Sequence, residues 1–229
     1  MSYVPGLWLF ILAASIILGL LIYSWRFRTT ETGAYFLLLM LAAWVWVFFF
    51  TLETAVPTLQ GKLFFSKIEF IGITFLPSIW VLLVFAYTGQ LLPRPVKTIL
   101  LLIPVLTNLV IWTSPLHEWF FGIPQIVFKE APFPILDPDY RFWFYFIHAP
   151  YGYICILVAV LFLLRSMRRK DSIYRLQGSL LLAAILLPAI TDMLYVLNIS
   201  PITYYNYTTA VFSFSGVILS WALFRFRFL

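Results

Sequence analysis

The stretch Lys67–Gly89, KIEFIGITFLPSIWVLLVFAYTG, decides the fold. It is apolar for most of its length. At about 1.5 Å rise per residue it is long enough for a bilayer, which needs about 20 apolar residues. Lys67 and Glu69 lie near its start, Gly72 and Pro77 in its interior, and a Tyr-Thr-Gly stop ends it after Trp80. Each charge inside a span costs at least about 2.5 kcal/mol unless it faces protein or water. The helix therefore turns a polar face inward, and its neighbours must supply partners.

The whole chain shares this character. Of its 229 residues, 63% are hydrophobic and only 10% are charged. A soluble domain carries roughly 25% charged residues and cannot hide so much apolar surface. The reading is an all-α membrane protein forming one compact bundle over residues 1–229, with no room for a kinase, nuclease or transferase domain outside the membrane. The net charge of +6 concerns orientation, because the basic residues sit in short runs at helix ends; nucleic acid is not an expected partner. Cys155, the single cysteine, reads as a small buried hydrophobe. The N-terminal apolar run has no basic residues before it, so it is a retained span rather than a signal peptide.

Seven spans are predicted, at about 4–25, 35–56, 63–87, 98–112, 142–164, 176–197 and 203–224. The fourth is short. Lys and Arg in short loops set orientation. With the N-terminus outside, eleven of the 15 basic residues fall on the cytoplasmic side, and only Lys62, Lys67, Lys129 and Arg141 do not. The C-terminus is then cytoplasmic. Residues 113–140 form a long outer segment rich in Pro, aromatics and acids. Its strand-like run Gln125–Phe128, bounded by Pro and Asp turns, predicts a small extracellular hairpin or lid.

Counted from the outer helix ends, the intramembrane polar residues fall at similar depth. Glu53, Glu69, Asn108, His148, Tyr151 and Asp192 all lie about one to two turns in. Convergence at one level is what a pocket open to the outside requires. The expected site lies between spans two, three, five, six and seven, roofed by the outer segment. Its candidate ligand-binding residues are Glu53, Glu69, Trp80, His148, Tyr151 and Asp192. Each has a plainer reading. Glu53 with Lys67 forms a structural ion pair locking span two to span three, or contacts ligand. Glu69 and Asp192 are protonated and bonded to neighbouring helices, or ligand-facing. His148 is a satisfied core histidine or a ligand contact. Asn108 is interhelical glue. Pro77, Pro104, Pro150 and Pro188 are fixed kinks or hinges. Three carboxylates against the one base Lys67 favour a small, partly apolar ligand with an amine, with cation–π attraction of about 0.5–2 kcal/mol from aromatic walls.

Several local patterns arrive in order. They are Ala43-Trp44 and Leu52-Glu53, then Lys67-Ile-Glu-Phe-Ile-Gly72, Leu76-Pro77, Trp80 and Phe85-Ala-Tyr-Thr-Gly89. Ile103-Pro104, Thr113 with His117 and Trp119, and Pro150-Tyr151-Gly152 follow. Tyr174 with Gln177, Pro188 and Ala222-Leu-Phe-Arg-Phe-Arg close the set. This ordered set resembles the N-terminal seven-transmembrane sensor region of sensor histidine kinases over nearly the whole chain. The resemblance implies a receptor input module of a two-component signal transduction system in a bacterial or archaeal inner membrane. It implies a link through the seventh span to PAS, dimerisation and ATP-binding parts, and a homodimer in the parent protein. None of the kinase parts lies within these residues, so the chain reads as an isolated or excised sensor module with no catalytic residues. The ligand it takes is an unknown small molecule from outside.

Other classes fit less well. A small-molecule transporter or channel is the main alternative, but an odd span number opposes two equal inverted repeats. A retinal photoreceptor needs a lysine for its Schiff base, and the last span, Thr203–Phe224, has none. A membrane enzyme would need a metal spacing such as HExxH, which His117 and His148 do not supply. No cofactor and no metal is expected.

Overall fold

The computed structural model describes residues 4–128, 133–168, 172–197, 199 and 206–224. Among the described residues the regular structure is helical apart from one small hairpin. The helices are α1 (Leu7–Ser24), α2 (Glu31–Ala55), α3 (Leu59–Thr88), α4 (Arg94–Thr113), α5 (Ala149–Met167), α6 (Ser172–Val196) and α7 (Thr208–Phe224). Strands β1 (Gln125–Val127) and β2 (Ile135–Asp137) pair antiparallel between α4 and α5, with Ile126 opposite Leu136. Of the basic residues counted in the topology reading, Lys129, Arg169, Lys170, Arg225 and Arg227 lie outside the described residues, as does the start of the seventh predicted span at 203–205.

Six of the helices are long and apolar enough to cross a membrane, rather than the seven expected. The shortfall is α7, whose 17 described residues fall below the length of a full span. α4 departs in the other direction. It is a helix of 20 residues, not a short one, because Arg94 opens it and Pro95 takes a first-turn position where its missing N–H costs nothing.

Local chemistry sets the ends of α2 and α3. Thr30 and Thr58 cap them, each hydroxyl accepting from the amide three residues on, Gly33 at 3.1 Å and Gly61 at 3.3 Å. α3 stops at Gly89, which adopts the left-handed conformation (φ 69°) that a side chain would resist. The Gln90 amide then bonds back to the Phe85 carbonyl at 3.0 Å and closes the helix end.

α3 is the central helix. Of its best membrane-length window 72% is buried, against 22–44% for the other five long helices. It packs along α2 and also touches α4 and α5, while α7 packs on α6, α1 and α2. The result is a ring of α1, α2, α3, α5, α6 and α7, with α4 outside it on α3. The α2–α3 contact is the most extensive, because Gly72 brings backbone against backbone: a Cβ there would overlap the Ala42 carbonyl oxygen. Asn108 ties α4 to α3 by donating to Thr74 Oγ1 at 2.7 Å.

The α4–α5 segment covers one end of this ring. Phe120 and Phe121 are buried against Phe70 and Ile111, and Phe133 packs with Val4 and Phe10. A five-residue π-type turn, Phe144–His148, leads into α5. Such a turn shifts the helix register and re-aims side chains, here placing His148 on the inner face.

Candidate sensor cavity

A cavity of about 180 Å³ lies inside the ring, at the end covered by the α4–α5 segment. α3 contributes Phe70, Ile73, Pro77 and Trp80, a stripe at spacings of three and four residues. α6 faces it with Ile185, Pro188, Asp192 and Tyr195, and α5 with Gly152, Tyr153 and Ile156, beyond His148. Trp46 of α2, Thr208 and Phe212 of α7, and Tyr140 complete the wall. Pro77 lacks an amide for the Ile73 carbonyl, so the continuous helix α3 misses one backbone hydrogen bond beside the cavity.

Trp80 (4% exposed), His148 (9%) and Asp192 stand on this wall. Asp192 accepts one hydrogen bond, from the Tyr153 hydroxyl at 3.4 Å. The His148 ring sits among Phe70, Phe120 and Phe144, with centroids 5.8, 6.0 and 5.6 Å away.

Glu53, Glu69 and Tyr151 stand elsewhere. Glu53 pairs with Lys62, not with Lys67: Lys62 Nζ is 3.2 Å from its carboxylate and 2.7 Å from its backbone oxygen. The reason is helical phase. α3 starts at Leu59, so Lys62 lies within its first turns. Lys62, Ser66 and Glu69 share one face, while Lys67, five residues on, is turned by about 140°. It points away, 5.8 Å from the Trp112 ring centroid. Glu69 accepts from Ser66 Oγ at 3.3 Å, and its second oxygen has no partner among the described residues. Tyr151 joins three helices. Its hydroxyl donates to the Leu100 carbonyl (2.8 Å) and so accepts from Ser78 (2.7 Å).

Lys62, Trp46, Phe70, Tyr140, Tyr195 and Thr208 had no part in the expected site. Lys62 could have been found from its i, i+4, i+7 register with Ser66 and Glu69. The aromatic residues carried no such signal in a chain that is 20% aromatic.

Outside the helices, Asp139 organises the mouth of the segment. Its carboxylate accepts from the Ile123 amide at 2.9 Å and from Arg141 at 2.7 Å. These bonds, the backbone one foremost, hold its carboxyl below the usual range. Next to it, Tyr140 stacks on Phe144 with centroids 3.9 Å apart. Burial pushes the Tyr140 phenol well up, and the neighbouring carboxylates of Glu69 and Asp192 add to this. Tyr140 is therefore a neutral hydroxyl against the cavity. Among the described residues no three His, Cys, Asp or Glu side chains converge as for a metal.

The arrangement is a helical membrane bundle with a mostly apolar cavity, and among the described residues its wall carries no catalytic constellation. No curated protein matches the chain. The family model described as the N-terminal 7TM region of histidine kinase matches residues 9–229. That match takes in α2 to α7 and all but the first two residues of α1, so the chain belongs to this family and is the sensor input region of a histidine kinase, with no kinase domain among its residues.

Proposed function

We propose that the cavity is the sensing site, and that a small molecule entering from outside the cell changes the packing of the ring and thereby the output of a cytoplasmic kinase. The observation that carries this is the cavity itself: α3, α5, α6 and α7 all line it, so an occupant touches α7 directly through Thr208 and Phe212. The orientation has the N-terminus outside. Arg26, Arg28, Arg94, Lys97, Arg165, Arg168 and Arg175 then lie at the cytoplasmic end, as the positive-inside rule asks. α7 serves as the seventh span, and its far end joins the output domain. The α4–α5 segment is an extracellular lid, with Tyr140 as its inner face. In the parent kinase the module works as a homodimer in a bacterial or archaeal inner membrane.

Of the six candidate ligand contacts, Trp80, His148 and Asp192 are retained for direct contact. Glu53 and Glu69 support the α2–α3 wall, and Tyr151 fixes α5 to α3 and α4. The test is autophosphorylation of the full-length kinase in nanodiscs. Ala189→Trp fills the cavity, while Leu161→Trp adds the same ring on the exposed face of α5. The reading expects the first to lock output high or low and the second to leave it unchanged. Equal behaviour of both would reject it.

A further inference from the structure

The cavity is polar at one end and apolar at the other. α3 lines it from Phe70 to Trp80, ten residues or about 15 Å of helix. The upper end holds Asp192, Tyr195, Tyr140 and Thr208, whose hydroxyl is buried (1% exposed) and has no partner among the described residues. The lower end holds Trp46, Trp80, Ile156 and Ile185. A buried hydroxyl without a partner is unfavourable, so Thr208 marks a place for a polar group.

The charge at the upper end has one sign. No Lys or Arg among the described residues lines the cavity. Of the nearby bases, Lys62 is committed to Glu53 and Arg141 to Asp139, while Lys67 points away toward Trp112. Asp192 has only the 3.4 Å contact from Tyr153, which leaves most of its acceptor capacity free. The rings of Tyr140, Phe144 and Tyr153 beside it offer faces that attract cations and repel anions.

From this polarity we infer that the ligand, on the reading that the cavity is the sensing site, is a slender arylalkyl or alkyl amine, its ammonium on Asp192 and its apolar tail running down to Trp80. The size fits. An apolar cavity of about 150 Å³ takes one benzene, and about 180 Å³ takes a ring with a short chain.

Binding of three isosteres to the chain in nanodiscs tests the inference: 4-phenylbutylamine, 4-phenylbutan-1-ol and 4-phenylbutanoate, by equilibrium dialysis with protein-free discs subtracted. The amine is expected to bind at least tenfold tighter than the alcohol, and the carboxylate weakest. Asp192→Asn should erase the preference for amine while sparing alcohol binding. Trp80→Ala should weaken all three alike. Equal amine and alcohol affinities, an amine preference that survives Asp192→Asn, or no binding of any of the three would each overturn the amine assignment. None of these outcomes bears on the kinase readout of Ala189→Trp, which judges the cavity reading separately.

Discussion

Lys62 reaches across from the first turns of α3 to the last turn of α2, with Nζ 2.7 Å from the Glu53 backbone oxygen and 3.2 Å from its carboxylate. Both side chains are buried. A buried pair is worth little as a pair, but removing one member strands the other, at about 3–5 kcal/mol. Lys62→Met and Glu53→Gln are each expected to lower the thermal stability of the purified chain sharply. The double variant should recover most of the loss. Heat denaturation followed by retained monodisperse protein measures it.

Gly72 makes the second prediction. A Cβ there would overlap the Ala42 carbonyl oxygen and meet the Trp46 amide nitrogen at 2.8 Å. Both are backbone atoms and cannot swing aside. Gly72→Ala should therefore push α2 from α3 and cost at least the roughly 1–3 kcal/mol of an overpacked core. Gly152→Ala, whose Cβ meets only Pro77 Cγ at 3.6 Å, should be nearly neutral in the same assay.

Asp139 predicts a pH dependence outside the membrane. Its carboxyl is held below the ordinary 3.8 by the Ile123 amide and Arg141. A depressed folded value means that the stabilisation is complete above the unfolded value. It fades as pH falls through the folded one. Exchange protection of the Ile123 amide should thus hold down to about pH 4 and then decline. Asp139→Asn should weaken it at every pH. Protection that rises on acidification would contradict the geometry.

Gln177 predicts a route to the output. It is fully buried, accepts from the Tyr87 hydroxyl at 3.2 Å and reaches the Ala222 carbonyl at 3.5 Å, so α3 and α6 grip the last turns of α7. Gln177→Leu should preserve folding but uncouple the kinase from cavity substitutions, making Ala189→Trp and wild-type output converge. Autophosphorylation of the double variant checks this.

How much of this could be read from sequence depends on the residue. His148 and Asp192, which depth counts from the helix ends place at one level, both line the cavity, and depth survives errors in helix phase; Trp80 lines it too, but lies deeper and was outside that count. Lys67 failed on phase. With α3 expected to begin at 63, Lys62 looked like a loop residue and Lys67 was the only base within reach of Glu53. The true start at Leu59, set by the Thr58 cap, brings Lys62 onto the inner face. Tyr151 shares that depth but its hydroxyl turns to Ser78 and the Leu100 carbonyl, a direction that depth alone does not carry. The hairpin was legible at Gln125–Val127, where β-branched residues meet Pro turns. Its contacts with Val4 and Phe10 link residues more than a hundred positions apart, and no local pattern carries them.

The most direct measurement places a single cysteine on the cavity wall. Gly152→Cys in a Cys155→Ala full-length kinase adds a side chain that the wall admits. An impermeant methanethiosulfonate reagent, applied to intact cells, then fills the cavity from outside in the same molecules whose output is read. The account predicts that modification goes forward and that autophosphorylation shifts as it does. Modification that leaves autophosphorylation unchanged, or a cysteine reached only from the cytoplasmic side, would contradict it.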